Sequence, residues 1–479
     1  MGARRLALAL VAMLAVVGVG IGSVSGFFAG VAERGLYATG LWSANGPSTL
    51  PPGTLDQPLP TVSPTPTGST SGLPTPVLPS ATAGRPPSAG RVAARLDAVD
   101  AEKVGGRVAV QVADLTSGKV LYAQRAGSPF IPASSTKLLT AAAALSLLGP
   151  EHVFRTEVVR SGAGRLVLVG GGDPYLATRA PKSGETPRAS LAALAEDTAA
   201  ALKRAGTTEV TLGYDASLFS GPAWNPRWPA RYADQVTPVS ALWVEEGRAA
   251  GISPGPRVDD PARVAARAFA KALQKRGITV TRTARAKAPA SAATVATASS
   301  MRLEQVVERL LMASDNDASE VLLRHVALAD DRPGSSAEGT RAVRRELDEL
   351  GVWPDDARLQ DGSGLARQTR VPARALVDLL VLAAAPEHPE LRPVLIGLPV
   401  AGVEGSLGSR FGDDQSRSGR GSVRAKTGTL TGVHALAGYL RTEDEHLVAF
   451  AFLVNDARND YEAKVWLDRV SAALARCGC

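Results

Sequence analysis

Cysteine is nearly absent from this 479-residue chain: Cys477 and Cys479 stand at its very end, one residue apart. That spacing permits at most a strained small loop and provides neither a disulfide framework nor a Cys-x-x-Cys zinc or redox motif. The tail that carries them reads as incidental and exposed. Histidine is scarce too. His152, His325, His388, His434 and His446 are dispersed and no His-Glu-x-x-His occurs, so neither a metal ion nor another cofactor is expected. Aromatic residues are only 5%, and the basic residues behind the net charge of +7 are scattered rather than bundled. A nucleic-acid partner, which calls for a basic stripe with stacking rings, is argued against. No internal repeat is visible.

What is present is strongly zoned. Arg4 and Arg5 precede an uncharged stretch over residues 6–32, long enough to span a bilayer. Small residues around Ser23, Ser25 and Gly30 leave a cleaved secretory signal as the rival reading. Either way the remainder is expected outside the cytoplasm, at the membrane as a single-pass protein or in the wall if the segment is cleaved. Residues 44–90 contain twelve prolines among 47 positions, with Asp56 and Arg85 the only charges. Such a segment cannot form a core and reads as an extended spacer.

Globular sequence begins near Val92. A helix over 92–99, an alternating strand over 108–113, a turn at 116–119 and a strand over 120–124 come first. Residues 137–148, rich in Ala and Leu and apolar almost all round, predict a buried helix. Further on come strands at 155–160, 165–169 and 209–212 and helices at 190–205, 261–276 and 300–313. The C-terminal part reads as strands over 422–430, 433–440 and 446–454 and a closing helix over 461–476. Together these imply an antiparallel sheet flanked by helices in an α/β (α+β) chain. The expected organisation is an anchor or signal over 1–32, a linker over 33–91, one discontinuous domain from 92–153 and 299–479, and an inserted domain over 154–298.

Three short motifs occur in a fixed order: Ser134-Ser135-Thr136-Lys137, Ser314-Asp315-Asn316 and Lys426-Thr427-Gly428-Thr429. On a helix Ser134 and Lys137, three apart, face the same way, and a buried lysine of lowered pKa can take the serine proton. Free N–H groups at the helix start favour negative charge there. Ser314 can relay a proton to a departing amine, while Asn316 can bond an amide and an ammonium. Lys426 on an edge strand supplies a positive field, Thr427 and Thr429 offer hydroxyls to an anion, and Gly428 leaves room for a substrate against the backbone. Each motif alone is weak: Ser43-Ala44-Asn45 and Lys182-Ser183-Gly184 mimic two of them out of order or context.

With these motifs the chain resembles the penicillin-recognising serine enzymes, in particular the D-alanyl-D-alanine carboxypeptidase/endopeptidases of the penicillin-binding protein 4 type (family S13). The stretches Gly170-Gly171-Gly172-Asp173-Pro174, Tyr214–Phe219, Thr237–Leu242, Asp361-Gly362-Ser363-Gly364-Leu365 and Gly402–Leu407 carry the same likeness. The resemblance covers about 92–473. It implies a transpeptidase-like/β-lactamase-like fold with a domain inserted between the first two motifs. It also implies Ser134 as the acylated nucleophile, Lys137 as its base, and Ser314 and Asn316 as the second element. Lys426, Thr427 and Thr429 would receive the terminal carboxylate, and the backbone N–H groups of Ser134 and Thr429 would form the oxyanion hole. The implied substrates are peptidoglycan stem peptides ending in D-Ala-D-Ala, with β-lactam antibiotics as inhibitors. The family further implies an acidic residue that reads a diamino-acid side chain, with Asp234 the candidate. Asp173 before Pro174 reads as a turn, and Asp361 as a capping residue in a loop. The insert is shorter than in the longest members, so no second nested insertion is expected.

Two rivals are set against this reading. A β-lactamase on the same fold needs an added carboxylate base, and no Glu-x-x-Leu-Asn lies between Asn316 and Lys426; an esterase is the lesser rival. A catalytically idle β-lactam sensor or wall-binding module would not require all three motifs.

Overall fold

The computed structural model describes residues 87–478, all within the compact unit Pro79–Cys479. The expected anchor or signal over 1–32, and the expected linker up to residue 86, lie outside the described residues. Among the described residues no helix is long and apolar enough to cross a membrane. Helix α1 (Ala89–Asp97) starts inside the stretch expected as linker, because Ser88 caps it by accepting from Arg91 N–H.

Strands β1 (Arg107–Asp114) and β2 (Val120–Gln124) form the expected hairpin. A two-residue strand β3 (Pro129–Phe130) leads to helix α2 (Thr136–Leu148). Every residue of α2 from Thr136 to Leu145 is buried. Its alanines let neighbouring helices approach closely, which an amphipathic helix of larger residues would not allow.

Residues 155–299 build a sheet of their own. It comprises β4 (Arg155–Gly162), β5 (Arg165–Val169), β6 (Glu209–Asp215), β7 (Thr279–Arg285) and β8 (Ala293–Ser299), in spatial order β7-β6-β5-β4-β8. The β5–β6 and β6–β7 pairs are parallel and the others antiparallel. Helices α3 (Leu191–Arg204) and α4 (Pro261–Gln274) share a core with this sheet. The sequence reading did not foresee β7 and β8. They are short runs of Thr, Ala and Arg, largely exposed, and only pairing to β6 and β4 makes them strands.

The chain then returns through α5 (Leu303–Ala313), α6 (Asn316–Ala329), α7 (Ser336–Glu349), a two-residue strand β9 (Val371–Pro372), α8 (Ala373–Ala384) and α9 (Arg392–Ile396). Strands β10 (Val423–Leu430), β11 (Val433–Arg441) and β12 (Leu447–Asn455) and helix α10 (Asp460–Ala475) close it. With β1 and β2 they form an antiparallel sheet in the order β10-β11-β12-β1-β2. Both faces are buried, which is why β12 reads as an unbroken apolar run. Ala435, Ala437, Ala449 and Ala451 face the core shared with α2, α5, α6 and α8. Phe450, Phe452, Val110 and Val112 face α1 and α10. Small residues on one face and large ones on the other set the two layer spacings.

Cys477 departs from the expectation of an exposed tail. It is buried, lies in the core beneath α10 and is disulfide-bonded.

Candidate active site

Ser134 sits in a single 3-10 turn, Ala133–Ser135, that runs straight into α2. Ala133 adopts φ 46, a conformation disfavoured for a residue with a Cβ and characteristic of turns held in place by their surroundings. Two glycines press against this turn. A Cβ at Gly428 would fall 2.5 Å from the Pro132 carbonyl oxygen, and one at Gly364 (φ +83) would overlap the Ala133 carbonyl oxygen. The first corrects the expected role of Gly428: its missing side chain lets β10 lie against the turn that carries Ser134 rather than opening space for a ligand. Gly364→Ala is expected to lose at least ~2 kcal/mol from the left-handed backbone and the overlap together. A lower thermal midpoint and slower penicillin acylation would be read side by side.

The second motif is a corner between two helices. Ser314 closes α5 in a left-handed conformation (φ 56, ψ 44) and Asp315 caps α6 by accepting from Ala318 N–H. The third motif lies on β10, at the edge of the five-stranded sheet.

All three motifs converge. Lys137 Nζ lies 3.0 Å from Ser134 Oγ, 2.7 Å from Asn316 Oδ1 and 2.7 Å from the Ser363 carbonyl oxygen. Three donors meet three acceptors, which suits an ammonium. Asn316 cannot be turned over, because its Nδ2 donates to the Gln235 carbonyl at 3.0 Å. On the other side Lys426 Nζ donates to Ser314 Oγ at 2.7 Å and to the Thr427 carbonyl at 2.8 Å. Both lysine side chains are completely buried. Burial pulls the Lys137 ammonium down to about 8, with Asp361, Asp315, Glu320 and Asp317 opposing part of the fall. Burial and the Lys137 charge hold Lys426 well below the ordinary lysine range.

A loop pinned from several sides lies behind Lys137. Asp361 accepts from Trp228 Nε1, Gly364 N–H and Ala366 N–H, so it caps the loop as expected. Gly362 carbonyl accepts from Thr140 Oγ1 and Ser319 Oγ, and Glu320 Oε1 accepts from the Gly362 and Ser363 N–H groups. The Ser363 carbonyl is thereby aimed at Lys137. Glu320 is pushed up to about 8, chiefly by burial and then by Asp361. The sequence reading missed it, although its place one helical turn after Asn316 was a usable signal.

The cleft in front of the motifs encloses about 670 Å³ and is lined by Ser134, Ser314, Asn316, Thr427 and Thr429. Ser406 Oγ lies 2.8 Å from Thr427 Oγ1, bringing the 402–407 stretch to its floor. The opposite wall comes from the segment between the first two motifs: Arg231, Tyr232, Asp234, Gln235 and Arg248. Asp234 borders the cleft. Arg248 was not anticipated, since nothing local in the sequence distinguishes it from the other arginines. Lys182-Ser183-Gly184 lies in an exposed loop, apart from these residues.

Glu246, Asp315 and Asp317 bring their carboxylates together nearby, and the guanidinium groups of Arg248 and Arg257 are paired with them. That pairing gives the group the character of a salt-bridge network rather than a vacant cation site.

Comparison with known proteins agrees with this geometry. The model of the D-Ala-D-Ala carboxypeptidase 3 (S13) family matches residues 92–253 and 248–474. A carboxypeptidase of Mycobacterium tuberculosis is 36% identical over 410 residues, covering 84% of this chain and 87% of the relative. A D-alanyl-D-alanine carboxypeptidase of an Actinomadura species is 28% identical over 450 residues, covering 76% and 80%. The crystal structure of penicillin binding protein 4 from Haemophilus influenzae shares the fold with a TM-score of 0.65 at 22% identity, over 79% of this chain and 97% of that one.

Proposed function

Since this chain belongs to the D-Ala-D-Ala carboxypeptidase 3 (S13) family, we propose that it removes the terminal D-alanine from peptidoglycan stem peptides through an acyl-enzyme on Ser134. The observation that carries the assignment of Ser134 is the 3.0 Å contact between its Oγ and the buried Lys137 Nζ. Lys137 in its neutral form takes the Ser134 proton as Oγ attacks the carbonyl carbon of the penultimate residue. The backbone N–H groups of Ser134 and Thr429 receive the resulting oxyanion. As the C–N bond breaks, Ser314 Oγ passes its proton to the departing D-alanine nitrogen. Ser314 is restored from the Lys426 and Lys137 side of the network, which holds the proton first taken from Ser134. Lys426, Thr427 and Thr429 hold the terminal carboxylate before it leaves. Water then attacks the ester, Lys137 takes its proton and passes it to Ser134 Oγ as the ester C–O bond breaks, and the free serine and neutral lysine are restored.

A β-lactam places its strained amide where the scissile bond lies and acylates the same oxygen. Residues 1–32 would carry the enzyme out of the cytoplasm as an anchor or a signal, and the proline-rich spacer would let it reach the wall. Asp234, at the cleft wall, is suited to meet a cationic group on the stem peptide.

The test is mass spectrometry of a stem pentapeptide and of a cross-linked dimer after incubation with the protein. Loss of one D-alanine from the pentapeptide is expected. Cleavage of the dimer would extend the activity to endopeptidase work, and no cleavage of either substrate would remove the reading.

A further inference from the structure

The second motif is held from two sides. Ser314 is left-handed, a conformation that costs a serine about 1 kcal/mol or more and persists only when neighbours over-determine it. On one side the Leu311 and Leu310 carbonyls at the end of α5 accept from the Ser314 and Asp315 N–H groups; on the other stand residues 235–257, with Arg248 central among them. Its Nη2 lies 2.7 Å from Asp315 Oδ2, 2.9 Å from Glu246 Oε1 and 3.3 Å from Asp317 Oδ2. Arg257 Nη2 reaches Asp317 Oδ2 at 3.3 Å, Thr237 N–H donates to Asp317 Oδ1 at 2.7 Å, and Gln235 accepts from Asn316. Each of the three residues that follow Ser314 is therefore tied to residues 235–257.

The charges almost balance. Three carboxylates face two guanidinium groups, and the third negative charge is removed by a proton on Glu246, which burial and Asp315 hold well above the usual carboxylate range. The arrangement is nearly dry: the Asp315 and Asp317 side chains are 4% and 0% exposed and that of Arg248 17%. Deleting one cation from such a group leaves a charge unmatched in a poorly solvated place.

We propose that Arg248 is the positioning residue for the second motif, holding Ser314 against Lys426 and Asn316 against Lys137 through Asp315 and Asp317. By this route residues between the first two motifs set the proton transfers of a site to which they contribute no base. The inference rests on the carboxypeptidase reading above.

Lys137 faces Asp315, Asp317 and Glu320 from α6 and its cap, Asp361 from the loop behind it, and Lys426 from β10. Removing the Arg248 charge makes the potential at Lys137 more negative. The ammonium is then favoured, and the pH at which the neutral base appears rises.

The experiment compares Arg248→Met and Arg248→Lys with the unaltered protein. It reads acylation by labelled penicillin between pH 6 and 10, and kcat and KM for a stem pentapeptide. Arg248→Met is expected to lower kcat about 10- to 100-fold through misplacement of Ser314 and Asn316. It should also move the acid limb of acylation upward by about one pH unit. Arg248→Lys should return the limb to its original pH while kcat stays low, because one ammonium cannot bridge three carboxylates as a planar guanidinium does. A native kcat in Arg248→Lys, or an unmoved acid limb in a folded Arg248→Met, overturns the proposal. So does a change confined to KM. If Arg248→Met does not fold, Arg248→Lys decides alone: a low kcat with the native limb supports the proposal, and a native kcat ends it. An unaltered protein that neither takes penicillin nor releases D-alanine would remove the parent reading instead.

Discussion

Ser134→Ala protein is expected to fold normally, take up no labelled penicillin and release D-alanine at a rate lower by a factor on the order of 10⁴ or more. The size of the loss follows from the arrangement. Among the described residues, the hydroxyl that Lys137 Nζ approaches at 3.0 Å is that of Ser134, whereas Ser314 Oγ is held by Lys426. Ser135 cannot substitute, being fully buried, with an Oγ that has no hydrogen-bond partner. Ser134 is half-buried and lines the cleft, so removing its Oγ creates no core cavity and the thermal midpoint should hardly change. Intact-protein mass after incubation with penicillin reads the outcome directly. A persisting adduct on the alanine variant would move the nucleophile elsewhere.

Lys137→Arg is expected to be nearly as damaging, with acylation slower by about 10³-fold. Arginine keeps a cation at this position but does not give up its proton, so it satisfies Asn316 and Ser363 without serving as a base. The same logic sets a pH profile for the unaltered enzyme. Burial brings the Lys137 ammonium down to about 8, against the pull of Asp361, Asp315, Glu320 and Asp317. The competent form is the neutral amine, so acylation should climb about tenfold per pH unit below 8 and level off above it. Rates with labelled penicillin between pH 6 and 9.5 test this. A flat profile, or an arginine variant with the native rate, would assign the base to another group.

Two of the three motifs were legible because each sits on an element whose pattern is local. The run of Ala and Leu after Lys137 announced a buried helix, and the alternation around Lys426 announced a strand. Ser314-Asp315-Asn316 was found by residue type and order alone. Its shape, a left-handed close to α5 followed by the cap of α6, is not announced by those three residue types. Gly428 was placed in the right motif but given the wrong reason, since its close neighbour, Pro132, is far away in sequence. Strands β7 and β8 were overlooked for the same cause, as their hydrogen-bond partners rather than their composition make them strands.

The sequence by itself therefore determined the parts list: a nucleophile and base one helical turn apart, a polar pair and a cationic edge strand, in an order that points to acyl transfer. Only the tertiary structure decided how those parts are tuned. The Ser363 and Gln235 carbonyls accept from Lys137 and Asn316, Glu320 acts on Lys137 by its charge, and burial, a property of the whole fold, lowers the lysine into a useful range. Hydrogen bonds and charges act through distance, and distances between remote residues exist only once the chain has folded.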